Sequence, residues 1–215
     1  MLGKKDAPGP GNLPPDSRPF VGRQDELAWL AEELMSGGRL LTLVGVGGVG
    51  KTRLAMRAAE AARDVHPDGV WLVELSAFRA CGQVPLAVME TLRLVDRSNG
   101  SAIEALSLWA RDKRLLLVLD SCEHLLTDCV TLVADLLAVA PGLRVLATSR
   151  ERLGMPGERV LAVDPGVAQR FDAGSSLAHP SAATASISTS TPSRTGRATT
   201  VVRAGSGVQS AKNSR

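Results

Sequence analysis

Nothing in the 215 residues forms an apolar run of the ~18 residues that a membrane span needs, so no membrane partner is expected. The first 17 residues carry Lys4 and Lys5 with no apolar stretch behind them, and no secretory signal is expected there. Cysteine is scarce. Cys81, Cys122 and Cys129 are odd in number and lack metal-ligand spacing, which fits reduced thiols in a cytoplasmic protein. An Asn-Lys-x-Asp string, the guanine-reading signature, is missing throughout. Acid is missing from one end only. All 22 acidic residues lie within 1–172, while 173–215 hold five basic residues and 16 Ser/Thr. The net charge of +3 therefore belongs to the tail, where five charges are too sparse for a nucleic-acid patch. Such a segment buries too little apolar surface to offset its ordering entropy, so 166–215 is expected to be disordered. Residues 1–17, rich in Pro and Gly, are expected to be a flexible lead-in.

What is present centres on Gly45-Val46-Gly47-Gly48-Val49-Gly50-Lys51-Thr52, the spacing of a phosphate-binding loop. Glycines let successive N–H groups turn inward at phosphate oxygens with no Cβ in the way. Lys51 brings an ammonium to the β/γ-phosphates, and the Thr52 hydroxyl suits Mg²⁺. Arg53 follows at the start of the helix, whose positive dipole end adds to the same site. Leu40–Val44 before the loop reads as a buried strand. Leu54, Ala55, Ala58, Ala59 and Ala62 after it recur at helical spacing through to Asp64.

Further elements are legible. Leu27, Leu30 and Leu34 mark a helix that stops at Gly37-Gly38, and Val70–Leu75 reads as a second strand. His66, in the turn between, is expected to face solvent. Pro85 suits the first turn of a short helix, and Ser101 with Glu104 forms a capping box after an Asn99-Gly100 turn. Leu115–Asp120 has the aliphatic run of a central parallel strand, with Asp120 at its C-terminal edge. Its carboxylate is read either as the Mg²⁺-associated acid or as an N-cap. Glu123 is read either as the group polarising an attacking water or as a first-turn helix carboxylate. A helix with Val130, Val133, Leu137 and Ala140 on one side ends at Pro141-Gly142, and a strand over Leu143–Thr148 leads to Arg150. Arg150 either contacts the γ-phosphate or stays solvated. Val160–Val163 closes the series as an edge strand.

Phe20-Val21-Gly22-Arg23, Gly45–Thr52, Leu115–Asp120 with Glu123-His124, and Ala147–Glu151 occur in the order of the STAND signal-transduction ATPases. From 18 to about 165 the chain resembles the NB-ARC-like domain of bacterial transcriptional regulators of the LuxR and antibiotic-regulatory types. The resemblance implies a P-loop NTPase: an α/β/α three-layer fold with a mainly parallel five-stranded sheet, binding ATP/ADP and Mg²⁺. It places Val21 and Arg23 on the adenine side, Gly45–Thr52 on the phosphates, Asp120 on the Mg²⁺-water and Arg150 at the γ-phosphate. It also implies self-association or a protein partner. Ser121 stands where many relatives have a second acid, so hydrolysis is expected to be weak or lost. The helical lid, winged-helix and DNA-reading parts of those regulators have no counterpart here. A half-built pocket and no direct DNA binding follow. For the tail, a natural disordered segment and out-of-frame text both stay open. A small phosphotransferase and a non-catalytic, nucleotide-dependent interaction module are the alternative functions.

Overall fold

The structure is a computed structural model describing residues 11–15, 20, 22–36, 38–94, 101–165 and 201–202. Its elements are α1 (Gln24–Ser36), β1 (Leu40–Val44), α2 (Lys51–Ala61), β2 (Val70–Glu74), α3 (Gln83–Thr91), α4 (Ala102–Ala110), β3 (Leu116–Asp120), α5 (Leu126–Val139), β4 (Arg144–Ser149), β5 (Arg159–Ala162) and β6 (Val201–Val202). Every strand pair is parallel, and the order across the sheet is β2-β3-β4-β1-β5-β6. The first five strands form the expected sheet. Val201–Val202, the apolar pair of the tail, adds a two-residue sixth strand beside β5. The rest of the expected disordered tail lies outside the described residues.

Parallel strands covered on both faces should be continuously aliphatic, because each face needs its own core. In β3 all five residues are buried. Leu116 and Val118 face Leu41, Leu43 and Leu146, together with Leu30 and Leu34 of α1 and Leu54, Ala55 and Ala58 of α2. Leu117 and Leu119 face Val145 and Ala147, under α3, α4 and α5. The result is the three-layer α/β/α fold of a P-loop NTPase. Each fully buried leucine contributes about 1.5–3 kcal/mol, so the two cores dominate the stability.

Local signals explain several boundaries. Ser101 caps α4: its hydroxyl accepts from Glu104 N at 3.2 Å, and Glu104 Oε2 accepts from Ser101 N at 3.1 Å. Helix α2 ends at Ala61 rather than Asp64, and the chain tightens into a 3₁₀ turn over Arg63–Val65. The buried face of α5 is Cys129, Leu132, Val133 and Leu136, so the expected stripe is rotated; Val130 and Leu137 only flank the core. The Asn99-Gly100 turn lies outside the described residues.

Two expectations are corrected outright. His66 does not face solvent: it is buried, with Nδ1 2.8 Å from Ala62 O at the end of α2. Burial, the largest influence, lowers its pKa, and Arg144 and Arg114 push the same way against the Ala62 contact. The described part of the N-terminal lead, Gly11–Pro15, is not loose. Asn12 is hydrogen-bonded to β2 through its main chain and its side chain.

Candidate phosphate site

The site lies at the C-terminal ends of β1, β3 and β4, where ligands bind in open α/β sheets. Gly45 leaves β1 so close to the exit of β5 that a Cβ there would come 2.5 Å from Val163 O. Only glycine fits. Gly48 (φ +77°) and Gly50 (φ +92°) take the left-handed backbone that turns the loop into α2. The first turn of α2 contains no acid, so its N–H groups and dipole present an uncancelled positive end.

Lys51 is buried and donates to the loop's own carbonyls, Gly45 O at 2.8 Å and Val46 O at 3.0 Å. Burial, the leading cause, lowers its pKa; Glu123 opposes that, Arg150 adds to it and Asp120 opposes it. Thr52 Oγ1 donates to Asp120 Oδ1 at 2.7 Å, tying the start of α2 to the end of β3. Thr148, on β4, donates to the same oxygen at 2.6 Å and accepts from Ser121 N at 2.9 Å. Ser121 Oγ donates to Asp120 Oδ2 at 3.3 Å, its backbone held at φ 66°. Asp120 therefore receives side-chain hydroxyls rather than serving as a cap; Ser121 begins the 3₁₀ turn Cys122–His124.

Glu123 lies in that turn. Its Oε1 is 3.4 Å from Arg150 Nε, while Oε2 is buried with no hydrogen-bond partner. The Arg150 side chain is 68% exposed, and Nη2 lies 3.7 Å from where a Gly47 Cβ would be. Arg150 thus overhangs the loop without being fixed to it. His124 Nε2 lies 2.9 Å from both Leu75 O and Phe78 O, holding the loop after β2 against this turn.

Arg23 is buried at φ 59° and joins three segments. Its Nη2 donates to Val49 O in the loop at 2.9 Å and to Asp164 O beyond β5 at 3.1 Å, and its Nη1 lies 3.5 Å from Glu26 Oε1. The Arg53 guanidinium lies over the Phe20 ring, 5.4 Å from its centroid. Val46 is exposed at the loop tip, and Val49 is buried beneath it. Val21 lies outside the described residues. The structure thus gathers Lys51, Thr52, Asp120, Glu123 and Arg150 around one loop. Sequence reasoning missed two contributions: the Thr148 hydroxyl behind Asp120, and the Arg23 bridge from loop to β5.

The residues fit a bound phosphate with Mg²⁺. The loop offers glycine N–H groups, an ammonium and a helix N-terminus. Thr52 and Asp120 offer hard oxygen donors already in contact.

The model for the NB-ARC domain matches residues 23–153, well over half of the chain. An HTH-type transcriptional regulator of Mycobacterium tuberculosis is 43% identical over 125 residues, 58% of this chain and 14% of that protein. The regulatory protein AfsR of Streptomyces griseus is 30% identical over 156 residues, 67% of this chain and 16% of that protein. This chain thus spans about a seventh of the length of these regulators. The solved signal transduction ATPase with numerous domains, with a tetratricopeptide repeat sensor, from Pyrococcus horikoshii aligns with a TM-score of 0.48 at 19% identity, over 73% of this chain and 25% of that one.

Proposed function

This chain belongs to the NB-ARC domain family, and from that we propose that it is the ATP/ADP-binding signalling module of a regulator-type P-loop ATPase, with weak or no hydrolysis. The observation that carries the reading is the 2.7 Å contact between Thr52 Oγ1 and Asp120 Oδ1 directly below the glycine loop. It joins the phosphate-binding helix to the acid-bearing strand at the point where a phosphate-bound cation belongs. Thr52 and Asp120 would hold Mg²⁺, which supplies charge neutralisation on the β/γ-phosphates. Lys51 would exchange its bonds to Gly45 O and Val46 O for phosphate oxygens. Arg150, mostly exposed, would leave Glu123 and reach the γ-phosphate, and Glu123 would then be free to orient water. Arg23 would set the adenine side through its hold on Val49 and Asp164. The remaining loop residues would frame the phosphates, with the Arg53 guanidinium beside them over the Phe20 ring.

Weak turnover is the reading because Ser121, not a second acid, follows Asp120 and is used as a hydrogen-bond donor to it. The nearest acid, Glu123, is engaged by Arg150. In the longer regulators to which this chain is similar, such a domain would report nucleotide state to other parts through self-association or a protein partner. DNA binding by these residues is not proposed. The test is a titration of the full chain with Mg-ATP, ADP and GTP, with Lys51→Ala as comparison. Adenine nucleotides are expected to bind, and the variant to weaken them about 30- to 100-fold, the loss of a charge-assisted bond. No binding by folded protein would overturn the reading, and equal binding of GTP would remove its adenine part. Turnover measured on the same samples separates weak hydrolysis from a purely non-catalytic switch.

A further inference from the structure

Two acids neighbour Asp120. Along the chain it is Glu123, whose Oε1 lies 3.4 Å from Arg150 Nε and whose Oε2 is buried. Across the sheet it is Glu74, the last residue of β2, in register with Asp120. Strand alternation fixes the side on which Glu74 leaves the sheet. Val70 and Leu72 belong to the core under α1 and α2, as Leu116 and Val118 do. Val73 and Leu75 belong to the opposite core, with Leu117 and Leu119. Two residues on from Leu72 and Val118, Glu74 and Asp120 therefore both face α2, where Thr52 meets Asp120. Neighbouring strands run about 4.8 Å apart, so the two carboxylates leave the sheet side by side.

Their settings differ. Asp120 is buried and receives three hydroxyls, from Thr52 and Thr148 on Oδ1 and from Ser121 on Oδ2. Glu74 is exposed, and among the described residues it makes no ion pair and no side-chain hydrogen bond. A carboxylate already holding three donors suits a fixed role beside a cation, whereas an unengaged one next to it is free to take a proton. We propose that Glu74 is the catalytic carboxylate of this site, orienting the water that attacks the γ-phosphate of ATP and accepting its proton. The inference rests on the ATP-binding reading above and makes its hydrolysis weak rather than absent. In the step, the water oxygen bonds to the γ-phosphorus while the bond from that phosphorus to the β,γ-bridging oxygen breaks. The bridging oxygen keeps the electron pair and leaves on ADP, one water proton passes to the Glu74 carboxylate, and inorganic phosphate is the other product. Exposure keeps turnover slow, because bulk water screens the carboxylate.

The experiment compares the full chain with Glu74→Gln and Glu74→Asp, changes at an exposed position outside both cores. Two quantities are read on each: the ratio of ATP to ADP affinity with Mg²⁺, and Mg-ATP turnover. Glutamine removes a negative charge facing the γ-phosphate, which ADP lacks, so the ratio is expected to rise about three- to tenfold. Turnover is expected to fall about 100-fold, as on loss of a general base. Aspartate keeps the carboxylate on a shorter arm and is expected to fall between in both. A Glu74→Gln variant with wild-type turnover or an unmoved affinity ratio would overturn the inference and leave nucleotide binding standing. So would a wild type that binds Mg-ATP without turning it over. Folded wild type that binds no adenine nucleotide would instead overturn the function proposed above, and this inference with it.

Discussion

The two ends of the sheet treat buried polar groups differently. At the N-terminal ends of the strands, polar side chains are spent on main-chain carbonyls. Arg39 donates to Leu137 O and Ala140 O at the end of α5, Arg144 donates to Gly38 O, and His66 is bound to Ala62 O. Each bond there finishes a helix or fixes a turn. At the C-terminal ends, Arg23 and His124 also meet main-chain carbonyls, but the central side chains hold one another: Thr52 and Thr148 both meet Asp120. Around them remain a glycine loop, a lysine bonded only to loop carbonyls and a buried carboxylate oxygen of Glu123 without a partner. One end spends its side-chain hydrogen bonds on closing the fold, with Arg39 Nε and His66 Nε2 left buried without a partner. The other keeps groups that a ligand can recruit.

Substitutions at the C-terminal end should therefore change ligand binding out of proportion to stability, and those at the other end the reverse. The largest effect tests the limit of that rule. Gly45→Ala places a Cβ 2.5 Å from Val163 O, where backbone on both sides must move. Overpacking of this kind costs about 3 kcal/mol, visible as a lower denaturation midpoint, together with loss of nucleotide binding. Thr148→Val comes next and keeps the shape while removing one hydroxyl. Asp120 loses a 2.6 Å donor and Ser121 N its acceptor, both in a buried setting. A cost of about 2 kcal/mol is expected, with a larger Mg²⁺ requirement measured by titration at fixed ATP. Unchanged Mg²⁺ dependence would mean that Thr148 serves stability alone.

The division between the ends was partly legible in the sequence. The loop, its flanking strand and helix, and the aliphatic run into Asp120 declare themselves, because local spacing and periodicity encode them. The capping box at Ser101 was equally local. Thr148 was not legible as a partner of Asp120, since that contact joins residues 28 apart through the strand order. His66 was misplaced for a related reason: a histidine beside a Pro-Asp-Gly turn looks solvent-facing until the fold buries it against Ala62 O at the end of α2. The α5 stripe was rotated because Cys129, fully buried, was weighed as a thiol rather than as a small apolar residue. Asn12 carried no signal at all, because a side chain bonded to a strand has no periodicity.

The opposite end of the sheet has its own test. His66 has a folded-state pKa lowered chiefly by burial, so the unfolded chain binds the proton first. The stability this confers is complete above about 6.5, the ordinary histidine value, and is lost as pH falls from there toward the folded value. Denaturation midpoints followed from pH 8 to pH 5 should decline in wild type and decline less in His66→Gln, with nucleotide affinity at pH 8 the same in both. A change in affinity at pH 8 would blur the distinction between the two ends.

The smallest effect on stability is expected at the rim of the site. Arg150 is mostly exposed and meets Glu123 at 3.4 Å, so solvent screens the pair. Arg150→Ala should shift stability by less than about 0.5 kcal/mol. The same change should raise the pKa of Lys51 toward its usual value, because Arg150 is one of the charges that lower it. ADP binding should be nearly unaffected, while ATP binding should weaken, since only ATP presents a γ-phosphate to the missing guanidinium. The ratio of ATP to ADP affinity is thus the quantity to measure. Equal losses for both nucleotides would place Arg150 with the loop's general positive field, whereas a loss confined to ATP would mark this loosely held side chain as the part of the site that distinguishes the two nucleotides.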